Sequence, residues 1–289
     1  MATVARKAWR RLWRKGAAGL AVFALAVALV AAIHARLDTW DDAALRLERS
    51  YRLAQSALGV ALPGTPDLKQ LDQRLAARGL SLGAPIFVRI FKREFEFELW
   101  MKGKDGFQLF ATYPICYWSG RLGPKLTEGD RQAPEGFYTV ESGQLNPHSR
   151  WHRAFNLGFP NLYDRTHERT GSFVMVHGGC SSVGCYAMTN PVIDEIWRIV
   201  TAALSKGQRR FQVHVFPFRM TEQNIALRAG DPAMPYWRTL RPASDLFEKT
   251  SIPPQVRVCN GRYEVTPGTA GSDAATALTN GCAEPSAAM

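Results

Sequence analysis

Three closely spaced stretches, IFVRIFK (86–92), EFEFELWM (94–101) and FQLFATY (107–113), constrain the fold more than any other part of this 289-residue chain. They alternate apolar with polar residues or are crowded with aromatics, which suits a pleated, half-buried strand better than a helix. Lys104-Asp105-Gly106 supplies hairpin turn chemistry between the last two. GFYTVES (136–142), SFVMVH (172–177), FQVHVFPF (211–218) and VRVCNGRYEV (256–265) extend the set of strands. One strong helical pattern interrupts them. Asn190 caps, Pro191 opens, and Val192, Ile193, Ile196, Trp197, Val200 and Leu204 form one apolar stripe before Gly207. Past Thr221, helical and irregular pieces carry Trp237 and Phe247. The expectation is a mainly β (α+β) body over residues 84–265.

The N-terminus has a different character. The net charge of +11 suggests nucleic acid until it is located: Arg6, Lys7, Arg10, Arg11, Arg14, Lys15 and Arg36 all precede the first acid, Asp38. No Lys/Arg cluster interleaved with aromatics stands out in the remainder, so nucleic-acid binding is a poor reading. Directly after the basic head, AAGLAVFALAVALVAAI (17–33) has no charged or polar side chain. At ~1.5 Å per residue it reaches ~25 Å, the short end of what crosses a bilayer core. Residues 1–16 are therefore expected to be a cytoplasmic head, 17–33 a single membrane helix or signal segment at the inner membrane, and the body to be exported to the periplasm. Residues 37–83 read as a helical spacer, with Thr65 as N-cap, Pro66 at the first helical position and Gly79 as the stop. Residues 266–289, small, polar and broken by Pro and Gly, read as a disordered tail.

Export places Cys116, Cys180, Cys185, Cys259 and Cys282 in an oxidising space, and an odd number of cysteines leaves at least one thiol free. Cys116 with Cys180, and Cys259 with Cys282, are possible pairs whose connectivity the sequence leaves open. The densest chemistry is FVMVHGGCSSVGCYAMTNP (173–191). His177, Cys180 and Cys185 offer zinc-ligand atoms, but are fewer than the four of a closed site. A Cys180–Cys185 bridge would leave the histidine without a role. Acyl-transfer chemistry uses both residue types: an imidazole that accepts a thiol proton makes the thiolate available. His177 ends a strand, and the Gly-rich loop after it can fold Cys185 back toward the ring. Gly184 lets the main chain turn so that N–H groups near Cys185 converge, as an oxyanion hole requires.

These residues also carry a resemblance. His177-Gly178 followed by Ser182-Val183-Gly184-Cys185 resembles the L,D-transpeptidase catalytic domain of the YkuD type, and Pro134-x-Gly136-x-Tyr138 is similar to that family's strand entry. The gap between the two halves is short, Val183 stands where most members have a second histidine, and Tyr186-Ala187 replaces a hydrophobic-Arg pair. Those departures match the YafK-like branch with its HGxCxSxGCYAMT loop, as do ICYWSGRLGPKLTEGDRQAPEGFY (115–138) and FNLGFPNLYDR (155–165).

The resemblance implies a β-sandwich-like catalytic domain, with no cofactor and no metal, acting on peptidoglycan stem peptides. It implies Cys185 as the nucleophile, His177 as base and then acid, and the Gly184 and Cys185 N–H groups as oxyanion donors. Ser182 either shapes the loop as a turn residue or touches substrate; Arg121, Arg131 and Tyr186 are substrate-binding candidates, with Lys125 near the same approach. Trp118 and Trp151 line a cleft or, as aromatics in a β body more often do, belong to the core, and His214 is a group beside the site or a core histidine. An envelope lipoprotein or outer-membrane protein is a candidate acceptor or substrate. Hydrolysis on the same fold, or wall binding without catalysis, are the competing readings.

Overall fold

The computed structural model describes residues 42–269 and 279–282, together with positions 20, 23–26 and 29. The chain divides into two units, Met1–Leu47 and Glu48–Met289. In the first, the described positions are helical. The expected basic head and most of the expected membrane segment lie outside the described residues. Among the described residues no helix is long and apolar enough to cross a membrane.

The second unit is a mixed α+β body built on two five-stranded sheets. The first sheet contains β1 (Ile86–Phe91), β2 (Glu96–Lys102), β3 (Phe107–Pro114), β5 (Gly136–Glu141) and β10 (Arg210–Phe216), in the order β3-β2-β1-β10-β5. The second contains β4 (Tyr117–Trp118), β6 (Leu145–Ser149), β7 (His152–Asn156), β8 (Met175–His177) and β9 (Tyr186–Ala187), in the order β4-β9-β8-β7-β6. β3 runs into β4 through two residues, and β5 into β6 through a 3-10 turn, so the chain crosses between the sheets at both edges. Phe155 of β7 and Phe211 of β10 meet edge to face across the interior at 5.8 Å.

β1 is buried along its whole length, so both faces of the first sheet are covered. Phe87 packs on Phe247 at 4.7 Å between ring centres, while Ile86, Val88 and Ile90 point the other way. Two long helices supply much of the cover. In α1 (Asn190–Ser205) the buried apolar side chains are Val192, Ile193, Ile196, Ile199, Val200 and Ala203, with Trp197 and Leu204 at the margin rather than inside the expected stripe. The second helix, α2 (Met234–Thr250), runs through a region expected to be partly irregular. Pro235 falls in its first turn, where the missing N–H costs nothing, and Pro242 is tolerated in the interior because Trp237, Leu240, Ala243 and Phe247 bury one face.

Two further expectations change. Asp67, not Thr65, caps the 3-10 turn Leu68–Gln70 by accepting from Lys69 N–H; Thr65 instead donates its hydroxyl to the Leu62 carbonyl. The region read as a disordered tail holds a short strand, β13 (Thr279–Asn280), which pairs with β11 (Gln255–Cys259) on the other side from β12 (Arg262–Thr266). The Cys259–Cys282 disulfide fastens it there.

Residues 48–83 lie on the body rather than standing off from it. Arg52 donates to the Ile115 carbonyl at 3.0 Å, Arg49 donates to the Gly120 carbonyl at 2.8 Å, and Arg74 pairs with buried Glu195 of α1 at 2.8 Å. Leu62 packs on Cys116 and Cys180, which form a disulfide.

The long connection from β4 to β5 is held from beneath by one buried cation. Lys92 Nζ donates to the carbonyls of Arg121 (2.8 Å), Gly123 (3.0 Å) and Ala133 (3.0 Å) and to Glu135 Oε1 (2.8 Å). Glu135 also accepts from Gly123 N–H and, through its other oxygen, from Trp237 Nε1 of α2, both at 2.7 Å. Burial pulls the Lys92 ammonium below its usual range, and the Glu135 carboxylate opposes that pull. Removing one member of such a pair leaves a charge buried alone. Lys92→Met is therefore expected to destabilise the protein by about 3–5 kcal/mol in equilibrium denaturation. A loss below about 1 kcal/mol would show that the cation does not hold the loop.

Candidate active site

The chemistry rests on a short parallel pair. In β8 and β9, Val176 lies opposite Tyr186, and His177 opposite Ala187. Side chains alternate along a strand, so when Val176 and Tyr186 fill the core, His177 and Ala187 must face the other way. Continuing the register one residue back brings Cys185 beside Met175. Cys185 and His177 thus share one face as diagonal neighbours, two residues or ~7 Å apart along the strand direction. Ala187, opposite His177, is too small to fill the space between them.

The loop that returns Cys185 to this position is pinned by hydroxyls. Ser182 Oγ accepts Cys185 N–H and donates to the Cys185 carbonyl, each at 2.7 Å. Gly184 N–H donates to Ser119 Oγ at the end of β4. Gly184 sits at φ +106, a conformation that L side chains rarely adopt, which is why glycine precedes the cysteine. These contacts revise one expectation and choose between the two roles open to Ser182. The Gly184 and Cys185 N–H groups are both bonded to hydroxyl oxygens and do not stand as open oxyanion donors. Ser182 holds the loop together and is not presented to a substrate.

Cys185 is the free cysteine among the described residues, because Cys116 is bonded to Cys180 and Cys259 to Cys282. That pairing rules out the Cys180–Cys185 bridge and removes Cys180 from the His-Cys-Cys set considered for zinc. Cys185 Sγ accepts from Met175 N–H at 3.3 Å and lies 3.8 Å from the Phe173 carbonyl. Burial pushes the thiol up, while the Met175 N–H and the Lys125 ammonium pull it back in part.

His177 is buried, and its Nδ1 lies 2.6 Å from the Gly178 carbonyl. A carbonyl only accepts, so Nδ1 carries the proton and Nε2 is left with its lone pair. Trp151 covers the ring at 6.1 Å between centres, one of the two aromatics named as cleft candidates. Burial lowers the imidazole, and the Gly178 carbonyl only partly offsets this. No hydrogen bond joins His177 to Cys185. The thiol is not folded directly onto the ring, and desolvation favours a neutral pair over a resting thiolate–imidazolium pair.

A cleft of about 180 Å³ opens at the thiol, bounded by Lys125, Glu128, Arg131, Phe173, Val183 and Gly184 among others. Lys125 is engaged by Asp130 at 2.6 Å and by the Thr127 carbonyl. Arg131 is exposed, and among the described residues nothing bonds its guanidinium. The other candidates go elsewhere. Arg121 does not line this cleft; its carbonyl is anchored on Lys92. Tyr186 is fully buried and donates to the Pro134 carbonyl at 2.6 Å, so no substrate reaches it. Trp118 is core, under the Arg49 guanidinium at 4.1 Å. His214 lies between Phe87 and Phe137, 2.8 Å from Gln212, and burial holds it down to about 3. Ser119 and the Met175 N–H were not anticipated; neither has a signal in the sequence near the residue it serves.

Residues 87–225 match the family model of the YkuD L,D-transpeptidase catalytic domain. YafK of Escherichia coli K12, which bears a provisional L,D-transpeptidase name, is 46% identical over 209 residues, covering 72% of this chain and 82% of YafK. YafK of Escherichia coli O157:H7 matches equally. Among solved structures, the helical cell shape determining protein Pgp2 of Campylobacter jejuni aligns at 19% identity and a TM-score of 0.37, over 64% of this chain and 68% of Pgp2. Bd1075 of Bdellovibrio bacteriovorus aligns at 18% identity and 0.33, over 56% of this chain and 60% of Bd1075.

The electrostatics of the pair are open to direct titration. A thiol raised by burial becomes thiolate only as pH climbs past the usual thiol range, so iodoacetamide labelling of Cys185 without substrate should rise through a midpoint at or above that of a free cysteine. Lys125→Ala removes a stabilising cation and should move the midpoint higher still. A wild-type midpoint well below the ordinary thiol value, abolished by His177→Ala, would instead reveal a resting ion pair.

Proposed function

Because the chain belongs to the YkuD L,D-transpeptidase family, we propose that it is a cysteine acyl-transfer enzyme acting on the stem peptides of peptidoglycan. The observation that carries this reading is the placement of Cys185 and His177 on one face of β8–β9, with the His177 Nδ1–H held by the Gly178 carbonyl. Fixing Nδ1 in this way leaves Nε2 facing the reaction as a base. Cys185 Sγ attacks the carbonyl carbon of the bond between an L-centre and a D-residue, and its proton passes to His177 Nε2. Collapse of the tetrahedral adduct breaks the C–N bond, and Nε2 returns the proton to the leaving amine. The product is a thioester on Cys185. A second amine or water then attacks that thioester, His177 takes its proton, and the thiol is regenerated.

A neutral resting pair suits this sequence. The proton moves when the substrate has displaced water, and the thiol is protected from stray electrophiles until then. Arg131, at the rim of the same cleft with a guanidinium that no described residue bonds, is the group that meets a substrate carboxylate. Which nucleophile resolves the thioester separates transpeptidation from hydrolysis. The acceptor or released group is a stem peptide or the amine of an envelope lipoprotein or outer-membrane protein.

We place the catalytic body in the periplasm, held at the inner membrane through residues 17–33. Two disulfides in the body favour an oxidising compartment, and the basic head before the apolar run favours this orientation.

Incubating the purified residue 38–289 body with muropeptides and identifying the products tests the reading. Cleavage or exchange at the L-centre to D-residue bond is expected. Loss of the general base in His177→Ala should lower the rate by roughly 10²–10⁴. Cys180→Ser should retain measurable turnover, since it removes a brace and not the nucleophile. Products unchanged from the input, or turnover that survives in Cys185→Ala, would refute it.

A further inference from the structure

A second cleft lies at the other end of the β8–β9 pair. Its volume is about 390 Å³, and its walls include Ser56, Val60, Thr65, Gly179, Thr189 and Asn190. Gly179 follows His177 by two residues, and Thr189 follows Ala187, the residue opposite His177, by two. The cleft therefore lies beyond the His177 end of the pair, whereas the thiol cleft includes Phe173 and Val174, at the start of β8. The two clefts flank the reacting pair along the strand direction.

They differ in chemistry. The thiol cleft carries Lys125, Glu128 and Arg131, while no lining residue of the second bears a charge. Val60 and Leu68 give it an apolar part. The Ser56 hydroxyl has no partner among the described residues, and the Thr189 side chain makes no cap bond to α1. This wall is built. Leu62 is buried against the Cys116–Cys180 disulfide, Thr65 Oγ1 bonds the Leu62 carbonyl at 2.7 Å, and Gly179 N–H bonds Asn190 Oδ1 at 2.9 Å. The outer wall, 56–68, precedes residue 87, where the family match begins.

From this placement we infer that the cleft walled by residues 56–68 binds the amine side of the reaction, as an uncharged run of peptide that carries the amine. The inference rests on the acyl-transfer reading above. The leaving amine takes its proton from His177 Nε2 as the C–N bond breaks, so the amine side must lie on the His177 side of the scissile bond. Aminolysis is the reverse: the incoming amine forms the C–N bond, its proton goes to Nε2, and the C–S bond breaks. By microscopic reversibility one subsite serves both. Hydroxyls and apolar groups without charge suit peptide amides with small side chains, and the charged groups of the acyl portion fall to the other cleft.

The test uses the full-length protein in detergent, a stem peptide whose leaving group is a single D-residue, and the capped peptide acetyl-Gly-Gly-Lys-amide as amine. Val60 and Ala61 are exposed, so Val60→Trp and Ala61→Trp fill the cleft without entering the core. Thioester formation, read as acyl mass on the protein, should stay within about twofold of wild type, while aminolysis by the capped peptide falls at least about tenfold through a raised KM. Arg131→Ala should do the opposite, slowing acylation and leaving aminolysis of the preformed thioester unchanged. Aminolysis unaltered by both tryptophan variants, or acylation falling in parallel with it, would overturn the assignment. If the wild type forms no thioester, the acyl-transfer reading fails separately. Saturable calorimetric binding of the capped peptide, lost in Val60→Trp, would then still support the cleft, and absence of binding would refute it.

Discussion

The buried Lys92–Glu135 pair is the interaction on which the site hangs. It has no solvent to share its charge with, so it satisfies itself with main-chain carbonyls of the 119–135 connection and with the indole of α2. That connection then delivers Ser119 to Gly184, Pro134 to the Tyr186 hydroxyl, and Lys125 and Arg131 to the cleft beside the thiol. A surface loop of this length held only by exposed contacts would sample many positions. One cation at the end of β1, the central strand of the first sheet, fixes instead the wall of a site that belongs to the second.

The second constraint is register. The β8–β9 pair is only two or three residues deep, yet Val176 and Tyr186 are both fully buried, and a slip of one residue would turn them out and His177 and Cys185 in. Two covalent and polar braces protect that register. The Cys116–Cys180 disulfide closes a separation of 64 residues and contributes about 4 kcal/mol on chain-entropy grounds. The reciprocal Ser182–Cys185 bonds fix the cysteine main chain. Cys180 sits at φ +46, an uncommon conformation for a non-glycine residue, within the loop that the disulfide holds.

Much of this was legible in the sequence, for identifiable reasons. The strands of the first sheet show because aromatic and β-branched residues crowd them, and α1 shows through its cap and apolar stripe. α2 was obscured by Pro235 and Pro242, since local propensity argues against a helix that tertiary burial stabilises. The strand at Thr279–Asn280 was hidden in a polar, Gly-punctuated segment and depends on a disulfide partner 23 residues away. His177 and Cys185 stood out because residue type and spacing together point to chemistry. Their supports did not, because Ser119 acts on Gly184 from 65 residues away and Met175 acts through its main-chain N–H. Tyr186 and Ser182 are near the cysteine in sequence, yet strand alternation buries the first, and a local turn uses up the hydroxyl of the second.

In the proposed chemistry Cys185 carries the acyl group across this face of the second sheet. Peptide mapping of the wild-type protein, quenched during turnover with a stem peptide, measures this directly. The acyl mass should reside on the 170–198 tryptic fragment, with fragment ions placing it on Cys185 and Cys180 still bridged to Cys116. An acyl group found on Cys180, on a serine, or on no residue while turnover proceeds would contradict it.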